Sequence, residues 1–391
     1  MISGGDNQAM LTGVKVVDLT AVVFGPYATS ILADLGADVI KVEAPSGDSY
    51  RYATKPAKTP GMGPGFLAIN RGKRSIALDL KAAEDLAVMK SLLSDADVFV
   101  LNVRGNAARR LGLDYASVRA INPDIIYAHC VGFGQDGPYA DLQAYDDVIQ
   151  AASGATTLLS RVDDNPSPRY IPSLVADKVA GLHAAYAIMA AIIHKLRTGR
   201  GQCVEIPMFE AFTNFNLVEH LGGLTFDPPN AAVGYPRQLD PNRQPFPTAD
   251  GHISLVVHTD ATWAVMFDIV GDPEFLADDR FSTPKLRFFN MHLLYRRLAE
   301  LTARFTTQHL VEACQAANVP VQPVRDLADI LSEPHLAATG FFTPRTHPTE
   351  GDYTELKQPI RFSDMTAEPA RFPPHLGEHS DEIRKQVLRT S

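Results

Sequence analysis

Asp177 stands at the mouth of a long apolar run, in "SLVADKVAGLHAAYAIMAAIIHKLRTGRGQ" (Ser173–Gln202). A carboxylate placed there can do one of two things. As a cap, its oxygens accept the orphan N–H groups of the first helical turn. As a nucleophile it is poorly hydrated, held ionised by the helix dipole, and able to attack an electrophilic carbonyl. The helix pattern is compatible with both. Two basic clusters, "KRSIALDLK" (Lys73–Lys81) and "RGNAARR" (Arg104–Arg110), read either as a solvated rim or as an anion site. "GFGQDGPYA" (Gly132–Ala140) is either a plain turn or a loop whose backbone must approach a ligand closely. "RTGRGQ" (Arg197–Gln202) reads as a helix stop, with glycine for the reversal and cations suited to a helix end. His129, His183 and His194 fall inside expected strands or helices and are read as packing residues. No His or carboxylate grouping has metal-ligand spacing, so no metal is expected.

The elements that must position these residues alternate. "VKVVDLT" (Val14–Thr20) reads as a strand, "PYATSILADLG" (Pro26–Gly36) as a helix opened by Pro and closed by Gly, and "ADVIKVE" (Ala37–Glu43) as a strand. Strands at Ser75–Leu80, Asp97–Asn102 and Ile125–Phe133 continue the series, with helices at Ala82–Ser94 and Tyr115–Asn122. This alternation predicts an α/β fold with a parallel sheet covered on both faces. Val179–Ile193 reads as a wholly buried helix. Leu217–Asp250 is loop-like, and a strand at "HISLVV" with helices at Thr262–Ile269 and Leu286–Phe305 predicts a second, smaller unit. The tail from Phe341 is Pro-rich and reads as mostly irregular.

Several functions are excluded by what is missing. After the first strand the chain reads "AVVFGP", not GxGxxG, and no GxxxxGK[ST], GxSxG or HExxH occurs. A net charge of −9 argues against a nucleic-acid binder, while leaving room for one local basic pocket. Three scattered cysteines form no CxxC pair, which suits a reducing, cytoplasmic setting without disulfides. "MISGGDNQAM" lacks the charged and apolar regions of a signal peptide, and the apolar run is short for a bilayer span, so no membrane partner is expected.

Taken in order, the motifs resemble the class III CoA-transferases, the family that also holds carnitine-CoA transferase, formyl-CoA transferase and α-methylacyl-CoA racemase. The resemblance runs through "VVDLT…GPYATSILADLGADVIKVE", "NRGKRSIALDLK", "RLGLDYASVRAINPDIIY", "GFGQDGPYA", "YDDVIQAASG" and "AGLHAAYAIMAAIIHKLRTGRGQ" to "PFPTADGHI" and "GEHSDEI". It implies a Rossmann-like large domain from both chain ends (1–215 and 336–391), a smaller α+β domain (216–335), and an interlocked homodimer. It places the catalytic aspartate at Asp177. In the mechanism it implies, this carboxylate takes an acyl group from acyl-CoA as a mixed anhydride and then becomes an aspartyl-CoA thioester. An acceptor carboxylic acid finally removes the CoA. The family's coenzyme A contacts fall on Val23, Phe24, Leu78, Lys81, Asn102, Val103, Arg104, Arg110, Gln143, Tyr145 and Asp146, with Lys81 and Arg110 suited to phosphates.

The chain also departs from the pattern. Tyr145 replaces the histidine base of the racemase branch, which speaks against racemisation, the alternative activity. A non-catalytic acyl-CoA-binding subunit is a further alternative, and Asp177 argues against it. Val23 replaces the glutamine of the formyl-CoA branch, and "GYPRQLDPNRQPF" lacks its glycine-rich loop, which tells against formate and oxalate.

Overall fold

Side chains alternate across a strand, and in the early strands of this chain both faces are apolar. Val16, Val39, Val98 and Ile126 enter one buried cluster, and Val17, Ile40, Phe99 and Tyr127 enter another. Strands apolar on both sides must be covered twice, the condition for a parallel sheet between two helical layers. The computed structural model, which describes residues 9–163, 165–365 and 370–390, has this architecture. Of the stretch read for a leader, Met1–Met10, residues 1–8 lie outside the described residues.

Six parallel strands, β1 (Lys15–Leu19), β2 (Asp38–Glu43), β3 (Arg74–Ala77), β4 (Val98–Leu101), β5 (Ile126–Val131) and β6 (Cys203–Pro207), lie in the order β3-β2-β1-β4-β5-β6. The helix stop read at Arg197–Gln202 is present, a helix ending at Thr198 with Gly199 at φ 72°, and directly after it comes a strand that the sequence did not show, β6. It was hidden because "CVEIP" is too short and too polar to show a period. The helices are α1 (Phe24–Asp34), α2 (Pro64–Asn70), α3 (Ala83–Ser94), α4 (Gly105–Leu111), α5 (Tyr115–Ile121), α6 (Asp146–Ala152), α7 (Val175–Thr198) and α8 (Met208–His220). Helices α1, α6, α7 and α8 cover one face, and α3, α4 and α5 the other.

Helix α7 runs 24 residues, longer than the apolar run suggested, and by length and composition alone it could cross a membrane. Ala180, Ala184, Ile188 and Ala191 pack it into the sheet core. It is not wholly buried, which corrects that expectation: Leu182, Tyr186, Ile193 and Leu196 are at least half exposed. His194 is exposed too, against its reading as a packing residue.

The described residues divide into two compact units. The first takes the chain to Thr156, then Tyr170–Val218, then everything from Leu336; the second takes Thr157–Arg169 and Glu219–His335. In the second, β7 (Phe246–Pro247), β8 (His252–Leu255) and β9 (Val321–Pro323) form an antiparallel sheet beside α9 (Asp260–Ile269), α10 (Pro284–Phe289), α11 (Met291–Thr302) and α12 (Thr307–Ala316). The single helix expected at Leu286–Phe305 is broken at Asn290. Its side-chain amide donates to the carbonyls of Leu286 (2.9 Å) and Arg280 (3.2 Å), competing with the helical backbone. The tail is more ordered than expected. After a short α13 (Pro334–Ala338), β10 (Phe342–His347) and β11 (Gly351–Leu356) form a hairpin, and α14 (Ser380–Thr390) adds Ile383 and Val387 to the α3–α5 core.

Beneath the carboxyl ends of β1–β3 lies a buried ionic network. Lys73 Nζ reaches Asp18 (3.1 Å), Thr29 (2.8 Å), Asn70 (2.9 Å) and the Pro26 carbonyl (3.0 Å). Lys41 joins Asp48 (3.0 Å) to the Thr20 carbonyl (2.9 Å). Arg51 makes a two-pronged bond to Glu43, 2.7 Å on each prong, and lies 3.7 Å over the Phe66 ring. Burial opposes the charge on Asp18, but Lys73, Lys41 and two threonine hydroxyls outweigh it and hold its carboxyl below the usual range. Burial brings the Lys73 ammonium down to about 8 against the pull of Asp18. Such a network is costly to break on one side, because the remaining charge is left buried and unpaired. Glu43→Ala is therefore expected to cost about 3–5 kcal/mol in urea unfolding. Arg384→Ala, which breaks a more open pair with Asp85, should cost less than about 1 kcal/mol; equal losses would contradict this account of the network.

Candidate active site

Asp177 is the third residue of α7, and the residue capping that helix is Leu174, which offers no side-chain acceptor. The cap comes from elsewhere. Asp146, the first residue of α6, accepts the backbone N–H of Asp177 on Oδ1 at 3.1 Å. Two helix starts thus meet on one buried carboxylate, and Asp177 keeps its own side chain out of the capping role. Both Asp177 and Asp146 are buried, at 6% and 4% exposure. Burial first, and the Asp146 charge second, push the Asp177 carboxyl up to about 7. This runs against the reading that the helix dipole holds it ionised: desolvation first, and a like charge second, raise the carboxyl.

The surroundings of Asp177 come from four elements. Gly181 lies one turn after it on the same face of α7. A Cβ there would sit 2.9 Å from the Phe24 carbonyl and 3.0 Å from the Tyr27 ring, so only glycine lets α7 press this closely on the start of α1. Tyr50, in the 3-10 turn Ser49–Tyr52, lies within electrostatic reach of the carboxyl: burial, then Asp177 and Asp48, raise its phenol above the ordinary value. Asp48 accepts the N–H groups of both Tyr50 and Val22 at 3.0 Å, tying that turn to the loop after β1.

That loop sits where the strand order reverses between β1 and β4, the crevice in which such sheets bind ligands. Asn102, just after β4, bridges it by accepting from the Ala21 N–H (3.1 Å) and donating to the Ala21 carbonyl (2.9 Å). Val22 is held at φ 70°, a conformation a β-branched residue adopts only under constraint. The constraint is visible in the bonds from Asn102 and Asp48 on either side.

Of the residues expected to contact coenzyme A, Val23, Phe24, Asn102, Val103 and Arg104 gather on the loops after β1 and β4. Lys81, Arg104 and Arg110 are exposed, and none is in an ion pair among the described residues. Gln143 and Tyr145 are exposed just before α6. Leu78 is different: its side chain is in the core, leaving only backbone to meet a ligand. Asp146 turns its carboxylate to α7 and to Gln150 rather than to solvent. Sequence reasoning missed Tyr50, Asp48 and Gln150 as site residues. Only Gln150 had a signal, its i,i+4 spacing from Asp146 on one helix.

One group of possible metal ligands occurs among the described residues: His347, Glu350 and His375, with ligand atoms within 4.8 Å of one another. The Thr349 hydroxyl occupies their centre, 3.2 Å from His347 Nδ1, 3.0 Å from Glu350 Oε1 and 2.7 Å from His375 Nε2. It stands where an ion would have to sit, and the group reads as the knot of the β10–β11 hairpin.

Residues 11–380 match the model of CoA-transferase family III. The chain belongs to that family. CoA-transferases of this kind are enzymes that use CoA thioesters as substrates. The family III chain is 32% identical to the succinate–glutarate CoA-transferase of Agrobacterium fabrum over 96% of its own length and 95% of that protein. It is also 32% identical to the formyl-CoA:oxalate CoA-transferase of Streptomyces avermitilis, over 95% and 94% of the two chains. A CaiB/BaiF family protein from Brucella suis, of known crystal structure, superposes with a TM-score of 0.82 at 32% identity, covering 97% of this chain and 100% of that one.

The raised Asp177 carboxyl makes a statement about stability. Its folded value, about 7, lies above the ordinary value of 3.8, so the folded state binds the proton more tightly and stability falls as pH rises from about 4 to about 7. Asp177→Asn should therefore stabilise the protein by about 4 kcal/mol at pH 8 and by little near pH 4. Denaturant unfolding across that range reads the difference; a pH-independent difference would refute the burial of a free carboxyl.

Proposed function

We propose that this family III enzyme moves CoA from an acyl-CoA donor to a free carboxylic acid, with Asp177 as nucleophile. The observation that carries this reading is a buried carboxyl left out of its own helix cap, beside the crevice where the sheet order reverses. Burial and the Asp146 charge make the ionised form costly, and acylation removes the charge, so the environment that raises the proton affinity also favours attack on a carbonyl. The carboxylate adds to the thioester carbonyl, the C–S bond breaks, and CoA thiolate leaves a mixed anhydride on Asp177. The thiolate then attacks the Asp177 carbonyl, freeing the donor's carboxylate and giving an aspartyl-CoA thioester. The acceptor carboxylate repeats the exchange in reverse and leaves with the CoA. Each step trades one activated acyl bond for another, so no nucleotide is consumed.

The exposed Lys81, Arg104 and Arg110 are available to the phosphates of CoA, Arg especially through its forked geometry. Short dicarboxylic acids are the proposed acyl class, in line with the succinate and glutarate named for the Agrobacterium relative. We further propose an interlocked homodimer, supported by the exposed apolar side chains of Leu182, Tyr186, Ile193 and Leu196 on the central helix.

Incubation with succinyl-CoA and glutarate should yield glutaryl-CoA by mass spectrometry. Borohydride or hydroxylamine should trap a modification on Asp177. Asp177→Ala should lower kcat by roughly 10⁴-fold or more, as loss of a covalent nucleophile does. Full activity in that variant would remove Asp177 from the mechanism.

A further inference from the structure

We propose that Gln150 is a positioning residue for the reaction at Asp177: its buried amide ties Asp146 to the Ile171–Ser173 segment and thereby sets the first turn of α7 against α6. This rests on the reading of Asp177 as nucleophile. Gln150 is fully buried. Its Nε2 donates to Asp146 Oδ2 at 2.6 Å and reaches the carbonyls of Ser173 (3.2 Å) and Ile171 (3.3 Å). Its Oε1 accepts the Ile171 N–H at 2.8 Å. A side-chain amide suits this place because it offers two donors and an acceptor at one point. A carboxylate has no donor for Asp146, and an apolar side chain would leave buried groups unpaired on both sides.

The position along the chain gives the bond its consequence. The backbone re-enters the first unit at Tyr170 after its excursion into the second. Gln150 grips it at the next residue, shortly before α7 begins at Val175. Asp146, held by Gln150 on one oxygen, holds the Asp177 N–H on the other. One connected path therefore runs from the loop through Gln150 and Asp146 to the nucleophile's own backbone. Among the described residues, the ionisable groups that act on or feel the Asp177 charge are Asp146 from α6 and Tyr50 from the 3-10 turn. On α1, Tyr27 lies against Gly181 one turn further on, and on α7 Lys178 is turned to the Ser173 hydroxyl at 2.7 Å.

The test compares full-length wild type, Gln150→Met, Gln150→Glu and Met89→Ala with succinyl-CoA and glutarate between pH 5 and 9. Met89 is buried on the opposite face of the sheet and serves as a control for lost stability. Gln150→Met should lower kcat roughly a hundred-fold, the order lost when a reacting group is misplaced by about 1 Å. The KM for the acyl-CoA should stay within about threefold, since the switch-point loops are untouched. The acid limb of its kcat profile should move up, because the Asp146 charge, no longer shared with the Gln150 amide, bears more fully on Asp177 and holds the Asp177 proton to higher pH. Gln150→Glu, close to wild type in shape, should retain activity best at low pH, where the introduced carboxyl is protonated and can still donate, and lose it as pH rises. An unmoved acid limb in Gln150→Met together with no added loss at high pH in Gln150→Glu, or kcat falling only with the folded fraction as in Met89→Ala, would overturn the proposal. Absence of an Asp177 adduct in the wild type would instead defeat the nucleophile reading, whatever the Gln150 variants do.

Discussion

The candidate site depends on one bond, the acceptance of the Asp177 N–H by a carboxylate on a different helix. An α-helix leaves its first N–H groups without partners, and a buried helix start needs an acceptor from somewhere. Here Leu174 cannot supply it, and Asp146 does. This has two effects at once. The Asp177 side chain is released from capping, and a negative charge is fixed beside it in a place with little water. The helix dipole favours a carboxylate at this end by up to about 2 kcal/mol. That is less than the combined cost of burial and a like-charged neighbour, and the carboxyl sits near 7 rather than below 4.

The opposite treatment is given to the buried acids at β1–β3. Asp18, Glu43 and Asp48 are as deeply placed as Asp177, yet each has a cation and several donors around it. Burial raises a carboxyl where its partners fall short of the desolvation cost, so the same burial leaves Asp18 and Glu43 below their ordinary range and Asp177 above it. The compensated acids have their own task. Asp48 and Asn102 hold the loop after β1 in a shape that includes Val22 at positive φ. That strain persists because rigid partners on both sides over-determine the loop.

Much of this architecture is legible in the sequence. The α/β alternation, the first five strands and the start of a second unit follow from apolar runs and Gly or Pro stops, all of them local signals. β6 was not legible, because five residues of mixed polarity gain their strand character from pairing with β5. Nor was the break at Asn290, where a side-chain amide outcompetes a helical period. The hairpin of the tail hides behind prolines, since β10–β11 pairing and the Thr349 knot are cross-strand contacts with no sequence period. Within the site, Asp177 was legible only as a choice between cap and nucleophile. Tyr50 and Asp48 gave no signal, because their proximity to Asp177 and Val22 is set by packing between distant segments.

By itself, the sequence determined the layered α/β fold, the apolar helix and the presence of a carboxylate at its start. These are matters of composition and period, which act between near neighbours. Only the tertiary structure decided what that carboxylate is. Whether an aspartate is a cap, a paired anion or a free buried acid depends on which donors, charges and waters surround it. Those arrive from α6, α1 and the turn at Tyr50, far away along the chain. Asp177 faces Asp146 rather than an arginine, and that contact, made across 31 residues of chain, turns an ordinary helix start into one that carries a buried, proton-holding carboxyl.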